Sequence, residues 1–596
     1  MANKVVRIGG ASAFYGDSQL AARQLVDKGD VDYLVFDYLA EVTMAILARA
    51  HLRDPQYGYA VDFVTVAMKD VLADCAKKGI KIVANAGGVN VPGCIAALEA
   101  LCEAQGLNLT IAGVYGDDIS SRTGEFAGAA MPDMDSGKPL PDKLASANAY
   151  LGAQPIADAL AAGANVVVTG RVVDSALVLG PLIHEFGWSM KEYDKLAQGS
   201  LAGHVLECGA QCAGGNFTDW HLVPDYADIS YPVAEIEANG DFTVGIPLET
   251  GGLINRGSVG EQILYEIGDP ANYLLPDVAC DFTGVALEEV GKDRVRVSGA
   301  KGRAPGPDYK VCATYVDGFR LMGCYFLAGP RSADKARTGA EAWIRRVRKA
   351  FKERGIPDFR DVSIEVVGAE AVYGPHGQAN NAREVMCKFG LHHDDPKALA
   401  FASAELAYLG TSGTPGMSGL GGGRVKPQPL MRIHSGLIKK ADVPVKVQVG
   451  DAVISEEPYD VEDTSNLANG PAMPVATAEV QSDWVDVPLE ALCYARSGDK
   501  GNKANVGLMA RDEKYLPILE GQVTAEAVAE YFAHLVDGTV SRYAMPGFGA
   551  YNFLLTEALG GGATASIRMD SQGKAYGQML LSMPVKVPAD WQLAGT

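Results

Sequence analysis

The chain has 596 residues, of which 48% are hydrophobic and 21% charged, a composition typical of globular proteins with a substantial core. Its 52 basic and 73 acidic side chains give a formal net charge of −21, which disfavours non-specific binding to nucleic acids or anionic membranes. No apolar run reaches the roughly 18 residues of a membrane span, and the N-terminal residues lack a signal peptide's apolar stretch. The ten cysteines are scattered without a CxxC motif, so we expect reduced thiols and a cytoplasmic protein.

The first third of the chain alternates short apolar strands with helices. Strands are predicted at residues 5–8, 33–36, 80–84, 109–114 and 165–169. Helices are predicted between them, at 17–28, 41–51, 61–78 and 92–105. This alternation predicts an α/β fold with a mostly parallel sheet flanked by helices. Ligands bind such sheets beyond the carboxyl ends of the strands, where this chain has loops rich in Gly, Asn, Asp and Ser.

The remainder of the chain has a different character. Residues 231–330 are predicted as strands and turns, and 333–352 as an amphipathic helix. We take 1–455 as one large domain, leaving open a division into 1–230 and 231–455, with a polar linker at 456–483. A compact α+β domain is predicted at 484–596. Its expected order is a strand at 489–494, a loop at 495–505, a strand at 506–510, helices at 525–535 and 552–559, and two closing strands near Ser566 and Met579.

The segment from His204 to Cys212 is a first candidate site. If it is helical, His204, Cys208 and Cys212 share one face at i, i+4 and i+8, an arrangement that suits a metal. Glu207 lies on a neighbouring face, where either it or His204 is a candidate acid or base. A buried structural helix explains the same residues. Asn216 follows in a polar turn that adds to the functional interpretation.

A second candidate site follows the strand at 165–169. Arg171 and Asp174 would lie at the ligand edge of the sheet, where Arg171 can clamp an anion and Asp174 can act as acid or base. A structural ion pair with a helix cap explains these two residues equally well. Further carboxylates follow the early strands, and proton transfer or a divalent cation becomes feasible if they converge: Asp17, Asp37, Glu41, Asp117 and Asp118.

The predicted loop at 495–505, ARSGDKGNKAN, combines three cations with small and amide side chains. Backbone N–H groups in such a loop can form an anion-binding nest, so we predict capture of a phosphate or carboxylate. A solvated turn is the alternative. The candidate binding residues here are Arg496, Ser497, Asp499, Lys500, Asn502 and Lys503. The P-loop motif and the GxSxG elbow are both absent, which disfavours triphosphate-dependent and serine hydrolase functions.

Six long motifs extend over most of the chain. They are RIGGASAFYGDS, NAGGVN, GRVVDSA, GHVLECGAQCAGGN, ETGGLINRGSVGEQILYEIGDPANYLLPDV and ARSGDKGNKANVG. Together they resemble the acyclic terpene utilisation family AtuA, with a large domain followed by a C-terminal ferredoxin-like domain. The resemblance implies a role in degrading branched acyclic terpenes and related acids as coenzyme A thioesters. It assigns no catalytic residues.

These observations predict a hydratase or carbon–carbon lyase acting on a branched acyl-CoA, with Asp174, Glu207 and His204 transferring protons. Backbone N–H groups of the NAGGVN motif would stabilise an oxyanion, with four residues in the binding set: Asn85, Gly87, Gly88 and Asn90. The remaining predicted substrate-binding residues are Arg171, Asn216 and the six of the loop at 495–505. The non-enzymatic alternative is an acyl-CoA-binding or scaffolding subunit.

The expected partners are few. We predict no tightly bound cofactor or metal, with coenzyme A present only as part of the substrate. A metal-dependent lyase using His204, Cys208 and Cys212 is kept as an alternative. No nucleic acid or membrane partner is expected, and the size and hydrophobicity of the chain favour a homo-oligomer.

Overall fold

The computed structural model describes residues 4–126, 131–379, 381–419, 423–459 and 467–591. The α-helices are α1 (Ala21–Lys28), α2 (Glu41–Arg53), α3 (Lys69–Lys78), α4 (Val91–Gln105), α5 (Gln154–Ala161), α6 (Ala176–Phe186), α7 (Tyr193–Leu206), α8 (Arg256–Leu264), α9 (Ser332–Arg354), α10 (Pro396–Leu406), α11 (Leu409–Ser412), α12 (Leu516–Gln522), α13 (Ala525–Tyr531) and α14 (Tyr576–Leu581).

The strands of the first half are β1 (Val5–Ser12), β2 (Tyr33–Phe36), β3 (Lys81–Ala84), β4 (Ile111–Tyr115), β5 (Ser146–Ala149), β6 (Val166–Thr169), β7 (Val233–Glu237), β8 (Phe242–Gly245), β9 (Tyr273–Leu274), β10 (Ala279–Asp281), β11 (Ala286–Gly291), β12 (Arg294–Ser298) and β13 (Lys301–Arg303). Those of the second half are β14 (Asp308–Ala328), β15 (Asp361–Val367), β16 (Glu384–His393), β17 (Met417–Ser418), β18 (Gln428–Lys439), β19 (Val445–Val449), β20 (Ala452–Glu457), β21 (Val485–Pro488), β22 (Cys493–Lys500), β23 (Lys503–Ala510), β24 (Val540–Met545), β25 (Ala550–Leu555) and β26 (Pro584–Val587).

The largest sheet of the described residues has eleven strands, in the order β11-β12-β8-β7-β1-β2-β3-β6-β4-β19-β20. The α/β class is confirmed, and the five strands from β1 to β4 are parallel, as the alternation predicts. The expectation of a mostly parallel sheet holds only for this centre. Both flanks are antiparallel because β7–β8, β11–β12 and β19–β20 are joined by short connections, which permit only antiparallel pairing.

The two faces of the parallel strands bury two separate cores. Along β6, Val167 faces one core, whereas Val166 and Val168 face the other, as the period of two in a strand requires. Helices α5, α6 and α7 cover the first face, and α1, α3 and α4 cover the second. This double covering leaves the strand ends, rather than the faces, open to a ligand.

A second sheet is organised around the long strand β14. Its first half pairs with β18 and β5, and its second half pairs with β16, which in turn pairs with β15. Helix α9, predicted at 333–352, packs on this sheet through Trp343, whose indole N–H donates to the carbonyl of Ala402 in α10. This unit forms a third core that is separate from the two cores of the large sheet.

The C-terminal domain contains the antiparallel sheet β22-β23-β25-β24, with α12, α13 and α14. Several local predictions are wrong here. The loop at 495–505 is the β22–β23 hairpin, and residues 552–555 of the predicted helix at 552–559 lie in strand β25. Of the two predicted closing strands, Ser566 lies in the connection between β25 and α14, and Met579 lies in helix α14. Tertiary contacts decide the first two cases, because the buried Asn505 and Asn552 hydrogen-bond to each other across the sheet at 2.6 Å.

Two further sequence predictions concern whole-chain features. The structure contains no helix, among its described residues, that combines the length and apolarity of a membrane span. Each of the ten cysteines is a free thiol. The predicted linker at 456–483 includes residues 460–466, which lie outside the described residues.

Candidate active site

A cavity of about 1080 Å³ lies where the carboxyl ends of the central parallel strands meet the C-terminal domain. The large domain contributes segments that follow β1, β2, β6 and α7, and the C-terminal domain contributes the start of β22 and the region around α14. The sheet therefore presents its ligand edge to a cavity, as expected for this topology. The segments that line it are mainly 13–17, 37–46, 207–217, 495–497 and 563–578.

Buried polar contacts fix the C-terminal domain against the large domain beside this cavity. Arg511 donates to both carboxylate oxygens of Asp219, at 2.6 and 2.7 Å. Asn505 donates to the carbonyl of Leu264 at the end of α8 at 2.7 Å. Such bidentate and buried bonds restrict the relative position of the two domains, so both walls of the cavity are held in place.

Glu207 and His204 form one proton-transfer group at the cavity wall. The imidazole Nδ1 lies 2.9 Å from Oε1 of Glu207, and Nε2 lies 3.3 Å from the carbonyl oxygen of Ile263. Because a carbonyl oxygen only accepts, Nε2 carries a hydrogen, and a proton must then be shared between Nδ1 and Oε1. Glu207 lines the cavity, whereas His204 is buried behind it.

The surroundings of this pair favour retention of its shared proton. Burial raises the pKa of Glu207, since it outweighs the attraction of the neighbouring imidazole. Burial opposes the charged imidazole, but the charge of Glu207 and its hydrogen bond prevail, so the pKa of His204 is raised as well. The pair therefore remains protonated to a higher pH than either isolated group, and it is suited to act as a proton donor.

Asp174 is held by a buried arginine. Arg171 is only 3% exposed, and its Nη1 donates to Oδ1 of Asp174 at 2.5 Å and to the carbonyl of Val172 at 3.0 Å. The guanidinium also stacks on the ring of Tyr150 at 4.1 Å. Arg171 is thus paired within the protein and does not line the cavity, contrary to its predicted role as an anion clamp. Asp174, which is 36% exposed, does line it.

Asp37 also faces the cavity and had been singled out only as one of several post-strand carboxylates. Its Oδ1 accepts a hydrogen bond of 2.6 Å from Nδ2 of Asn85, which follows the adjacent strand β3. Oδ1 of Asn85 accepts in turn from the backbone N–H of Tyr38 at 2.7 Å. The first Asn of the NAGGVN motif therefore positions a carboxylate rather than substrate. Because Asp37 and Asn85 follow two neighbouring strands, their positions in the sequence can indicate this contact.

The rest of the NAGGVN motif does not contribute an oxyanion site. The N–H of Gly87 donates to Thr169, that of Gly88 to Asn85, and that of Asn90 to Gly87, at 2.8–3.4 Å. The side chain of Asn90 caps helix α4 by accepting from Gly93. None of these three residues lines the cavity, because their backbone donors build the turn between β3 and α4.

The β22–β23 hairpin brings two of its six predicted residues to the cavity, Arg496 and Ser497. Arg496 donates to Oε1 of Gln211 and to the carbonyl of Asn216, which explains how Asn216 reaches the cavity wall. Ser497 donates to the carbonyl of Lys574 at 3.2 Å and accepts from Gly577 at 2.8 Å. Both side chains bond within the protein, and the backbone of the predicted loop is paired in the β22–β23 ladder instead of forming an open nest.

The other four hairpin residues lie outside the cavity lining. Lys503 pairs with Asp135 at 2.5 Å, and Asn502 accepts from the N–H of Gly561 at 2.7 Å. Lys500 is exposed and lies 5.4 Å from the ring centre of Tyr273. Burial raises the pKa of Asp499 to about 7, with the negative charge of Glu266 as a further cause.

The metal site proposed at His204, Cys208 and Cys212 is not supported by the geometry. Helix α7 ends at Leu206, so these three residues do not share a helix face. No group of three or more His, Cys, Asp or Glu residues in the described chain has a metal-binding arrangement. The helical premise fails because Gly209 adopts a left-handed φ of +55°, which ends the regular helix.

Apolar side chains also line this cavity. Phe14 is 53% exposed and Ile46 is 51% exposed, and both line the cavity. Leu39 and Val42 lie beside them, with Val42 and Ile46 four residues apart on the same face of α2. Solvent-exposed apolar side chains concentrated at a cavity indicate a surface that an apolar ligand covers.

Comparison with known proteins agrees with this architecture. The model of the acyclic terpene utilisation family protein AtuA matches residues 6–449, and the model of the AtuA ferredoxin-like domain matches residues 487–586. No match was found among curated proteins or among solved structures. The C-terminal domain is therefore ferredoxin-like, and the chain belongs to the acyclic terpene utilisation family AtuA.

Proposed function

We propose that the chain is a cytoplasmic lyase of acyclic terpene or related branched-acid catabolism, which hydrates or cleaves a branched acyl-CoA thioester. One observation carries this proposal: Glu207 with its buried partner His204, and Asp174 with its buried partner Arg171, line one cavity that also has exposed apolar side chains in its lining. Two proton-transfer groups beside an apolar surface are what carbon acid chemistry on an acyl chain requires.

The two groups suit opposite directions of proton transfer. Arg171 compensates the negative charge of Asp174, which suits Asp174 to accept a proton from carbon. The Glu207–His204 pair retains its shared proton, which suits it to donate. The acyl chain would lie against Phe14, Val42 and Ile46, with its thioester toward the carboxylates.

The coenzyme A portion would extend out of the cavity, because the carboxylates inside it repel phosphates. Lys500 is the favoured contact for a phosphate, since it is exposed and its charge acts on both Glu207 and His204. Arg496 and Lys503 are each engaged by other groups of the protein. We therefore narrow the proposed phosphate contact from the whole hairpin to Lys500.

Mass spectrometry of reactions with a panel of branched enoyl-CoA and 3-hydroxyacyl-CoA thioesters tests the proposal. A mass change of one water establishes a hydratase, and release of a shorter thioester establishes a carbon–carbon lyase. Tight binding of the thioesters without any mass change would overturn the enzymatic proposal in favour of a binding or scaffolding subunit. Asp27→Asn, at an exposed site on α1, is the control for handling and stability.

A further inference from the structure

Resting on the proposed function, we infer that Asp37 is the general acid, that Asp174 is the base, and that the reaction is reversible loss of water from a 3-hydroxyacyl thioester. The inference rests on the placement of two carboxylates at the same edge of the parallel sheet, after β2 and after β6, in one cavity. A neutral amide fixes one of them and a guanidinium fixes the other. Asn85 is assigned as the positioning residue for Asp37.

Asp37 has one fixed oxygen and one free oxygen. Oδ1 accepts from Nδ2 of Asn85 at 2.6 Å and from the backbone N–H of Leu39 at 3.4 Å. Oδ2 accepts no hydrogen bond from the part of the chain that the structure describes, although the residue lines the cavity. A neutral amide thus orients the carboxyl group and leaves its second oxygen toward the ligand space.

The environment of Asp37 favours its protonated form. Asp37 is 7% exposed, and Asp174, Glu207 and Cys208 face it from other elements, with Arg171 behind Asp174. Burial and the negative charge of Asp174 raise the pKa of Asp37 well above its ordinary value, and the charge of Arg171 opposes them less strongly. Like charges in a shared site cannot both persist at low cost, so one carboxyl keeps a proton.

Asp174 is the charged member because its partner is a cation. Its Oδ1 contacts the guanidinium of Arg171 at 2.5 Å, and the ring of Tyr150 stacks on that guanidinium. Two carboxyl groups at one sheet edge, one held by a neutral amide and the other by a cation, are suited to act as acid and base.

The proposed step is balanced. Carboxylate Asp174 removes the proton from the carbon next to the thioester, and the C–H electron pair forms the C=C bond. The C–O bond to the 3-hydroxyl breaks as Oδ2 of Asp37 gives its proton to the leaving oxygen, so water is released. Asp174 is then protonated and Asp37 is charged. Proton exchange with Glu207, whose charge acts on both groups, restores the starting state.

The test compares wild type with Asp37→Asn and Asn85→Ala in the dehydration direction. We expect Asp37→Asn to lower kcat by about 10²- to 10⁴-fold, the usual contribution of a general acid. The activity of wild type should fall as the pH rises through the pKa of Asp37. Asn85→Ala removes a donor to the carboxylate, so its alkaline limb should move to higher pH. Asp277→Asn, a buried carboxyl away from the cavity, should keep the wild-type profile.

A second measurement does not depend on turnover. Infrared difference spectra of wild type against Asp37→Asn near neutral pH should contain the C=O band of a protonated carboxyl. Absence of that band, or an Asp37→Asn variant with wild-type kcat, overturns the assignment. Turnover that yields a shorter thioester instead of water loss overturns the hydro-lyase inference but leaves the proposed lyase intact. Absence of any turnover with the band present refutes the proposed function, and with it the catalytic role of Asp37.

Discussion

The two walls of the cavity use their charged residues in opposite ways. At the sheet edge, the carboxyl groups of Asp37, Asp174 and Glu207 face the cavity, and their partners stand behind them. On the β22–β23 hairpin, the cation of Arg496 also lines the cavity, but it is bound by Gln211 and a backbone carbonyl of the same lining. A charged residue is available for chemistry only when its partner leaves one side open, and charge-rich sequence alone does not distinguish these cases.

The largest expected effect is at the sheet edge. Glu207→Gln removes the carboxyl that shares a proton with His204 and returns protons between the other two carboxyls, so we expect kcat to fall about 10²- to 10⁴-fold. Binding of the thioester, measured by calorimetry, should change little, because the amide keeps the shape of the side chain. A variant that keeps activity within a few-fold of wild type would remove Glu207 from the mechanism.

A substitution of Arg496 on the hairpin should lower the stability of the protein rather than its kcat. Arg496→Ala leaves half-buried acceptors on Gln211 and Asn216 without their donor, so we expect the free energy of unfolding to fall by about 1–3 kcal/mol in urea denaturation. Arg496→Lys should recover only part of the lost free energy of unfolding, because a single ammonium cannot replace the several N–H donors of a guanidinium. Unchanged stability together with weakened thioester binding would restore the substrate-binding role of Arg496.

A buried carboxyl beside the hairpin, that of Glu261, should make the stability of the protein depend on pH. Burial raises the pKa of Glu261 to about 7, although Arg496 opposes this. The folded state therefore binds a proton that the unfolded state has lost, and stability falls as the pH rises from about 4.5 to about 7. Glu261→Gln should remove this loss and be more stable than wild type by about 1–3 kcal/mol above neutral pH.

Thermal denaturation across that pH range checks the prediction for Glu261. Glu341→Gln, at an exposed position on α9, is the matched control and should follow the wild-type curve. Parallel curves for Glu261→Gln and wild type would show that Glu261 does not titrate in this range.

The smallest effects distinguish the two lysines of the hairpin. Lys500→Ala should raise KM for a coenzyme A thioester about 3- to 10-fold, because an exposed phosphate contact is worth little. Lys503→Ala, which removes an ion pair with Asp135, is the matched control and should leave KM unchanged. For a short thioester without phosphates, KM should be the same in wild type and in both variants. Equal effects of the two variants would place the phosphates elsewhere.

Much of the fold follows from local sequence, and the failures have a common cause. The apolar run Tyr33–Phe36 is a strand with the predicted bounds, because burial on both faces requires such a sequence. Asn552 was placed in a helix, yet it lies in β25, where Asn505 and the carbonyl of Gly268 satisfy its amide. A buried polar residue in a strand depends on distant partners, which no local pattern contains.

The residues of the site, like the fold, could be predicted from the sequence only in part. Asp174 reaches the cavity because polar residues that follow parallel strands meet at one edge of the sheet. Glu207 reaches it from the end of helix α7, a position that the strand pattern does not predict. Asp37 was recognised only as one of several carboxylates, and its link to Asn85 depends on the neighbouring positions of β2 and β3. The local pattern indicates the ion pair of Arg171 with Asp174 as one alternative, whereas the partners of Arg496 come from a segment that is distant in sequence and are not visible in any local pattern.

Deuterium exchange measured by mass spectrometry tests the central claim, that the carboxylates of the sheet edge act on an acyl thioester. Saturated and 3-hydroxyacyl branched thioesters would be incubated with the protein in D₂O. We predict that wild type introduces deuterium at the carbon next to the thioester and that Asp174→Asn does not. Exchange at an equal rate in Asp174→Asn, or no exchange by wild type with any thioester that binds, would contradict the account.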